Sequence, residues 1–139
     1  MPKRGLEALT TVPLFQGLSR RDLRRIGDIG IETEYMSGEL VVKQGEEADS
    51  FFVMVAGEAK VSIGDRTVNR LMPGDHFGEI SLLDGGKRTA SVTTQTPVLA
   101  LRFKRTDFMR LMQKEPSITL VLLRSLARML RGTQRSLEG

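Results

Sequence analysis

The sequence contains no cysteine, so the chain can form neither a disulfide nor a thiolate-ligated metal site. Its one histidine, His76, is too few for the converging imidazole ligands that a barrel-type metalloenzyme requires. We therefore predict that the chain is not a metalloenzyme of this kind and holds no metal, and no cofactor is expected. The lack of cysteine also fits a cytoplasmic location.

Long apolar runs are missing as well. The runs Phe51–Ala56 and Ile118–Leu123, the second interrupted by Thr119, are far shorter than the about 20 residues that a membrane-spanning helix needs. No basic segment followed by an apolar stretch opens the chain, so no signal peptide is expected. Aromatic residues make up 5% of the sequence, which is little for a surface that stacks single-stranded bases.

The net charge of +4 includes two groups of arginines spaced as on solvated helix faces: Arg20, Arg21, Arg24 and Arg25, then Arg124, Arg128, Arg131 and Arg135. A length of 139 residues with 40% hydrophobic residues predicts one domain with its own core. Residues 1–17 are expected to be irregular. Ser19, with Asp22 three residues later, predicts a capped helix through Ile26, ended by Gly27 and Gly30.

From residue 31 onward, segments in which apolar residues alternate with a period of two, together with short runs of β-forming residues at 40–42 and 51–55, predict short strands. These strands are expected at residues 31–35, 40–42, 51–55, 59–63, 68–71, 90–95 and 98–103. Gly64-Asp65 is typical of a hairpin, and Met72–Asp75 has proline and glycine at the central positions of a type II turn. Many short strands with glycine-containing turns indicate a sandwich or a barrel.

The sequence after residue 105 returns to helical spacing. Thr106 is expected to cap a short helix that carries Phe108, and Pro116 interrupts it before a longer helix at about residues 117–131. Apolar residues fall on two faces of this longer helix. We therefore expect it to contact a ligand, a partner helix or both, in addition to its own core.

The stretch Phe77–Val92 combines groups that suit a nucleotide. Gly78 allows a close backbone approach, and residues 79–83 can form one helical turn whose free N–H groups suit an anion. Arg88 offers a planar fork for phosphate oxygens, with the Thr89 hydroxyl beside it. Glu79 can accept hydrogen bonds from a sugar hydroxyl.

Two segments, Met72–Glu79 and Lys87–Val92, resemble the phosphate-binding cassette of the cyclic nucleotide-binding domain family. The resemblance extends over about residues 14–131. It implies a mainly β fold, an eight-stranded jelly-roll (double-stranded β-helix) barrel with flanking N-terminal and C-terminal helices. It also implies a single domain over residues 1–139, made of an N-terminal helical segment at 1–30, the barrel with its cassette at 31–104, and C-terminal helices at 105–135.

The resemblance also implies roles for individual residues. The phosphate contacts would be Arg88, Thr89 and Ala90, and the ribose contacts would be Gly78, Glu79, Ile80 and Ser81. The base would lie against the barrel wall at Val61 and Leu71. The last helix would cover the base as a lid, using some of Leu126, Met129, Leu130 and Thr133, although Gly132 is a candidate end of that helix before Thr133.

The implied function is a non-catalytic sensor of cAMP, with cGMP as the alternative ligand, whose last helix closes to transmit the signal to a partner protein or effector domain. A protein-interaction module of the same fold that ignores nucleotide is the alternative. The family's DNA-binding members carry a helix-turn-helix domain after the long helix, and this chain ends at Gly139. DNA is therefore not an expected partner.

Simpler interpretations of the same residues stay open. Arg88 could pair with Asp84 or Glu79 at the surface. Met129 and Leu130 could belong to the core or to a dimer seam instead of a lid. His76 is expected to be a surface residue in a polar turn, and Lys87 is expected to be solvated.

Overall fold

A computed structural model describes the backbone of residues 3–78 and 86–138 and the side chains of residues 5–78 and 86–132. The helices are α1 (Lys3–Leu9), α2 (Arg20–Ile29), α3 (Arg105–Lys114) and α4 (Pro116–Glu138), with a 3-10 turn at Pro13–Phe15. The strands are β1 (Ile31–Tyr35), β2 (Leu40–Val42), β3 (Ser50–Ala56), β4 (Ala59–Ile63), β5 (Arg66–Leu71), β6 (His76–Phe77), β7 (Ser91–Thr94) and β8 (Val98–Lys104).

The eight strands form two antiparallel sheets of four. One sheet has the order β1-β8-β3-β6 and the other has the order β2-β7-β4-β5. The longest pairing joins β3 and β8, with Ser50 opposite Lys104 and Val53 opposite Leu101. The predicted mainly β jelly-roll is confirmed, as two facing sheets that are not hydrogen-bonded into a closed barrel.

Strand β3 is buried on both faces and separates two hydrophobic cores. Phe51 and Val53 point into a core shared with the helices, whereas Phe52 and Met54 point into the space between the two sheets. All four side chains are at most 3% exposed. The helices therefore cover the outer face of the β1-β8-β3-β6 sheet, and the space between the sheets is a second interior.

The N-terminal segment is helical where an irregular chain was expected. Helix α1 lacks a capping acid in its first turn and contains Gly5, so its own sequence gives it little helical stability. Leu9 and Val12 are completely buried in the helical core. Tertiary packing, which local sequence signals do not report, stabilises this short helix.

Helix α2 begins as predicted and ends later than predicted. The Ser19 hydroxyl oxygen accepts a hydrogen bond from the Asp22 N–H at 3.1 Å, so Ser19 is the N-cap. The helix continues through Gly27, and Gly30 ends it. A helical glycine costs about 1 kcal/mol relative to alanine, and burial of the neighbouring Ile26 outweighs that cost here.

The C-terminal helices correct two expectations. The break at Pro116 is confirmed, but Thr106 is not a cap, because α3 already begins at Arg105 and Lys104 occupies the N-cap position without a side-chain hydrogen bond. Gly132 does not end α4, which continues to Glu138. Although α4 is long, no helix within the described ranges is both long and apolar enough to cross a bilayer.

The turn after β5 and the strand that follows it lead the chain to the cassette. Gly74 has a φ of +93°, and the Asp75 N–H donates to the Met72 carbonyl at 2.9 Å, which confirms the type II turn. His76 and Phe77 then pair with Val53 and Phe52 as the edge strand β6.

The placement of His76 in an exposed polar turn was wrong, because this residue is half-buried and its ring lies 6.2 Å from the Phe51 ring. A strand of two residues is too short to show a period of two.

Candidate functional site

Arg88 lies at the centre of the candidate site, as a buried cation. Its side chain is 8% exposed, and its Nη2 donates a hydrogen bond to the Ser50 carbonyl at 2.7 Å. Burial lowers the pKa of Arg88 from its ordinary value, Asp49 opposes this change and Arg102 adds to it. The guanidinium nevertheless stays protonated, so the fold holds a desolvated positive charge that an anion would stabilise. The interpretation of Arg88 as a surface residue is therefore wrong.

Backbone and ring contacts fix the position of Arg88. The Arg88 N–H donates to the Glu46 carbonyl at 2.8 Å, and the Arg88 carbonyl accepts from the Gly45 N–H at 2.9 Å. The guanidinium carbon lies 5.8 Å from the centre of the Phe52 ring. Phe52 in turn stacks on Phe77, with ring centres 4.7 Å apart and an angle of 11° between the rings. The cation is thus held over an aromatic pair at the edge of the interior between the sheets.

Gly78 is adjacent to this guanidinium. Its φ is +89°, and a Cβ built on it would lie 2.5 Å from Arg88 Nη1 and 3.0 Å from the Ser50 carbonyl oxygen. A side chain at position 78 would therefore displace Arg88. The sequence predicts a close approach of a ligand at Gly78, and in this structure Arg88 is the group that lies close to it.

Ser50 connects Arg88 to a second arginine that the sequence analysis did not select. Arg102 on β8 donates from Nε to the Ser50 hydroxyl oxygen at 2.8 Å, and its Nη2 lies 3.5 Å from Asp49 Oδ2. The Ser50 hydroxyl donates to Asp49 Oδ1 at 3.0 Å. The sequence could have indicated Arg102 only if the register of β3 against β8, which places Phe52 opposite Arg102, had been known.

A cavity of about 250 Å³ opens beside the two arginines. It is lined by Thr33, Tyr35, Val41, Val42, Lys43, Glu46, Glu47, Asp49, Phe52, Arg88 and Arg102. Burial raises the pKa of Tyr35, Arg102 partly offsets that effect and Glu39 adds to it. Although this wall contains carboxylates, no group of three or more acidic or histidine side chains among the described residues is arranged to hold a metal ion.

The other predicted phosphate and base residues divide by exposure. Thr89 is exposed and Ala90 is half-buried, directly after Arg88. Leu71 is buried and Val61 is half-buried, and both pack in the core between the sheets that also contains Phe52. The space between the sheets therefore contains both the apolar side chains of Val61 and Leu71 and the Phe52 ring over which the Arg88 guanidinium lies. Lys87 is exposed, as expected.

Three of the predicted ribose residues, Glu79, Ile80 and Ser81, lie outside the described residues, as does Asp84.

Helix α4, which carries the predicted lid residues, packs against the helical side of the domain. Leu126 packs against the helical core, not against the core that contains Val61 and Leu71. Met129 is half-buried, Leu130 is 65% exposed, and the side chain of Thr133 lies outside the described residues. Assignment of Leu130 to the core is therefore wrong.

The buried Ser125 hydroxyl anchors α4 by donating to the Gln16 carbonyl at 3.1 Å, and α4 packs against Pro13–Phe15. In this conformation the helix rests on the helical side of the domain.

Comparison with known proteins identifies similar chains. The model of the cyclic nucleotide-binding domain family matches residues 32–115. A cAMP-dependent protein kinase regulatory subunit from Mycosarcoma maydis is 41% identical over 88 residues, which is 60% of this chain and 17% of that protein. A CRP-like cAMP-activated global transcriptional regulator from Mycobacterium tuberculosis is 33% identical over 138 residues, which is 94% of this chain and 61% of that protein.

Solved structures agree with this similarity. The N-terminal domain of a transcriptional regulator from Streptomyces coelicolor A3(2) superposes with a TM-score of 0.87 at 27% identity, and the match covers 91% of this chain and 94% of that domain. The chain spans 17% of the length of the Mycosarcoma maydis relative and 61% of the Mycobacterium tuberculosis relative. The similarity therefore applies to this domain and not to the whole activity of either protein.

Proposed function

Since the chain belongs to the cyclic nucleotide-binding domain family, we propose that it is a non-catalytic sensor of cAMP, with cGMP as the alternative ligand. One observation carries the proposal. The guanidinium of Arg88 is held in a desolvated position over Phe52, at the edge of an apolar interior. A cyclic phosphate has the charge and the planar pair of oxygens that a guanidinium fork binds best.

The cassette would bind the phosphate and the ribose together. Arg88 would grip the exocyclic phosphate oxygens, with the Thr89 hydroxyl and the Ala90 backbone assisting. The ribose would be held by Gly78, Glu79, Ile80 and Ser81. The short distance between Gly78 and Arg88 supports a site in which the phosphate and the sugar lie side by side.

The base would lie on the apolar wall formed by Val61 and Leu71. Closure would bring the lid candidates of α4 over it: Leu126, Met129, Leu130 and Thr133. Because Leu126 packs in the helical core in this conformation, α4 has to move for the lid to close. The ligand drives such a change only if it binds the closed form more tightly than the open form.

A paired calorimetric titration with cAMP and cGMP, with 5′-AMP as the control nucleotide, tests this proposal. We expect saturable binding of a cyclic nucleotide and much weaker binding of 5′-AMP. The Thr89 hydroxyl is compatible with either purine, so the titration decides between the two cyclic ligands. Chromatography of the nucleotide recovered after incubation should show that it is chemically unchanged, because the proposed function is binding without catalysis.

A thermal unfolding experiment distinguishes the sensor from an interaction module of the same fold. A ligand at 100 times its dissociation constant should stabilise the native chain by about 2.7 kcal/mol and raise the melting temperature accordingly. No change in melting temperature with millimolar cAMP or cGMP would contradict the sensor and favour the module.

A further inference from the structure

Helix α4 has an exposed apolar strip on the face opposite its buried side. Ile118, Leu122 and Ser125 are at most 2% exposed and attach the helix to the domain. On the other side, Leu120, Leu123 and Leu130 are 50%, 58% and 65% exposed. Ala127, between the last two leucines, is also exposed.

The spacing of this strip is that of a coiled-coil seam. Leu120, Leu123, Ala127 and Leu130 are separated by three, four and three residues, which is the alternation of a and d positions in a heptad repeat. The same spacing continues in the sequence to Gln134 and Leu137, and the backbone stays helical to Glu138. A seam this narrow is complementary to another helix. It differs from the broad apolar face with which an amphipathic helix enters a lipid interface.

Positive charge follows one edge of the seam. Arg124 and Arg131 occupy the e positions of these heptads and are exposed, and Arg128 lies beside them. Like charges three and four residues apart on a helix repel each other. The sequence contains no aspartate or glutamate between Glu115 and Glu138 that could offset this repulsion.

The charges also favour one type of partner over a second copy of the chain. In a parallel pair, the e positions of one helix face the g positions of the other, which in this chain are Thr119, Leu126 and Thr133. In an antiparallel pair, arginine would face arginine. The one carboxylate at an e position of these heptads is Glu138, at the end of α4, so an identical helix offers Arg124 and Arg131 little to pair with.

We propose that this seam, defined as Leu120, Leu123, Ala127 and Leu130 with the flanking Arg124 and Arg131, docks an amphipathic helix of a partner protein. That helix has apolar a and d residues and glutamate or aspartate at its flanking positions. Leu130 is also a lid candidate, so the two proposals share this residue. Peptide binding measured without nucleotide tests the docking surface separately from the sensor function.

A pair of synthetic peptides tests the proposal on the full chain. Both have four heptads with isoleucine at a and leucine at d, and one has glutamate and the other lysine at every e and g position. Fluorescence anisotropy of the labelled peptides should show that the glutamate peptide binds at least about tenfold more tightly than the lysine peptide at low salt. The difference should shrink as salt is added, because the charges are exposed.

Two variants with matched controls locate the binding to the seam. Leu123→Gln should weaken binding of the glutamate peptide by at least about tenfold, because a leucine that becomes buried is replaced by an amide. Leu40→Gln, at a leucine that is 51% exposed on β2, should leave it unchanged. Arg124→Glu with Arg131→Glu should reverse the peptide preference, whereas Arg66→Glu with Arg110→Glu, at two exposed arginines elsewhere, should not.

Three results would overturn the proposal. In the first, the two peptides bind equally or not at all. In the second, analytical ultracentrifugation shows a dimer that Leu123→Gln dissociates and the glutamate peptide does not displace, which assigns the seam to a second copy. In the third, the chain sediments with phosphatidylserine vesicles, loses this binding in Leu123→Gln and ignores the glutamate peptide, which assigns the seam to a membrane surface.

Discussion

Gly78 and Arg88 are packed so closely that any side chain at position 78 would overlap the Arg88 guanidinium. A Cβ at position 78 would lie 2.5 Å from Arg88 Nη1, and the φ of Gly78 is +89°. Gly78→Ala should therefore lower the free energy of unfolding by about 1–2 kcal/mol through backbone strain alone. It should also weaken cyclic nucleotide binding, because Arg88 has to move.

The matched control for this substitution is Gly38→Ala. Gly38 has a φ of +79°, and a Cβ there would meet no atom within 4 Å. Chemical denaturation should show a similar loss of stability for the two variants, while calorimetry should show a loss of affinity for Gly78→Ala only. Equal affinities would show that the position of Arg88 does not matter for the ligand.

Arg88→Ala should weaken cyclic nucleotide binding by at least tenfold, since truncating one partner of a buried charge pair costs about 2–5 kcal/mol. The fold should survive, because the substitution also removes a desolvated charge. Isothermal titration with the preferred nucleotide measures the effect, and the exposed Arg66→Ala on β5 is the control. Wild-type affinity in Arg88→Ala would remove Arg88 from the proposed site.

Ser19→Ala should destabilise the chain by about 0.5–2 kcal/mol, because the hydroxyl of Ser19 caps α2. Thr106→Ala should change stability by less than about 0.5 kcal/mol, since Thr106 is exposed and lies inside the first turn of α3. Urea unfolding of the two variants measures both effects. A larger loss of stability from Thr106→Ala would show that Thr106 caps α3, as the sequence predicts.

Stability should fall at alkaline pH because of Tyr35. Burial raises the pKa of its phenol above the ordinary value of 10.0, so the folded chain favours the neutral form. A group whose pKa is raised on folding contributes its full stabilisation below the unfolded pKa, and this is lost as the pH rises through the folded pKa. Unfolding free energies should therefore decline above about pH 10, and less steeply in Tyr35→Phe.

The chain has a single tyrosine, so absorbance titration of phenolate formation reports Tyr35 directly. The native chain should titrate at a higher pH than the same chain in concentrated urea. A native midpoint at or below the unfolded one would show that the Tyr35 phenol is not shielded from water.

The sequence predicts the parts of this fold that local chemistry specifies. Alternation with a period of two located β1 and β4, and a run of β-forming residues located β3. Ser19 and Pro116 marked helix boundaries correctly. Helix α1 and the strand at His76 and Phe77 were missed, because distant packing stabilises one and the other has only two residues. Prediction fails where the stabilising contact is far away in the chain.

The residues of the candidate site also divide into those that the sequence predicts and those that it does not. Gly78 and Arg88 stand out in the sequence because glycine and arginine in one short stretch suit a phosphate. Ser50 and Arg102 carry no such signal, since a serine at the start of a strand and an arginine within one are ordinary. They meet only because β3 and β8 pair in one particular register, which the continuous apolar runs of these two strands do not determine.

The burial of β3 on both faces means that one strand belongs to two compartments. Phe52 and Met54 face the interior beside Arg88, and Phe51 and Val53 face the helices. Adjacent residues of a strand share a peptide bond, so a shift of Phe52 also shifts the backbone that carries Phe51. A single strand therefore separates the interior beside Arg88 from the helical core, and a displacement in one compartment reaches the other through the β3 backbone.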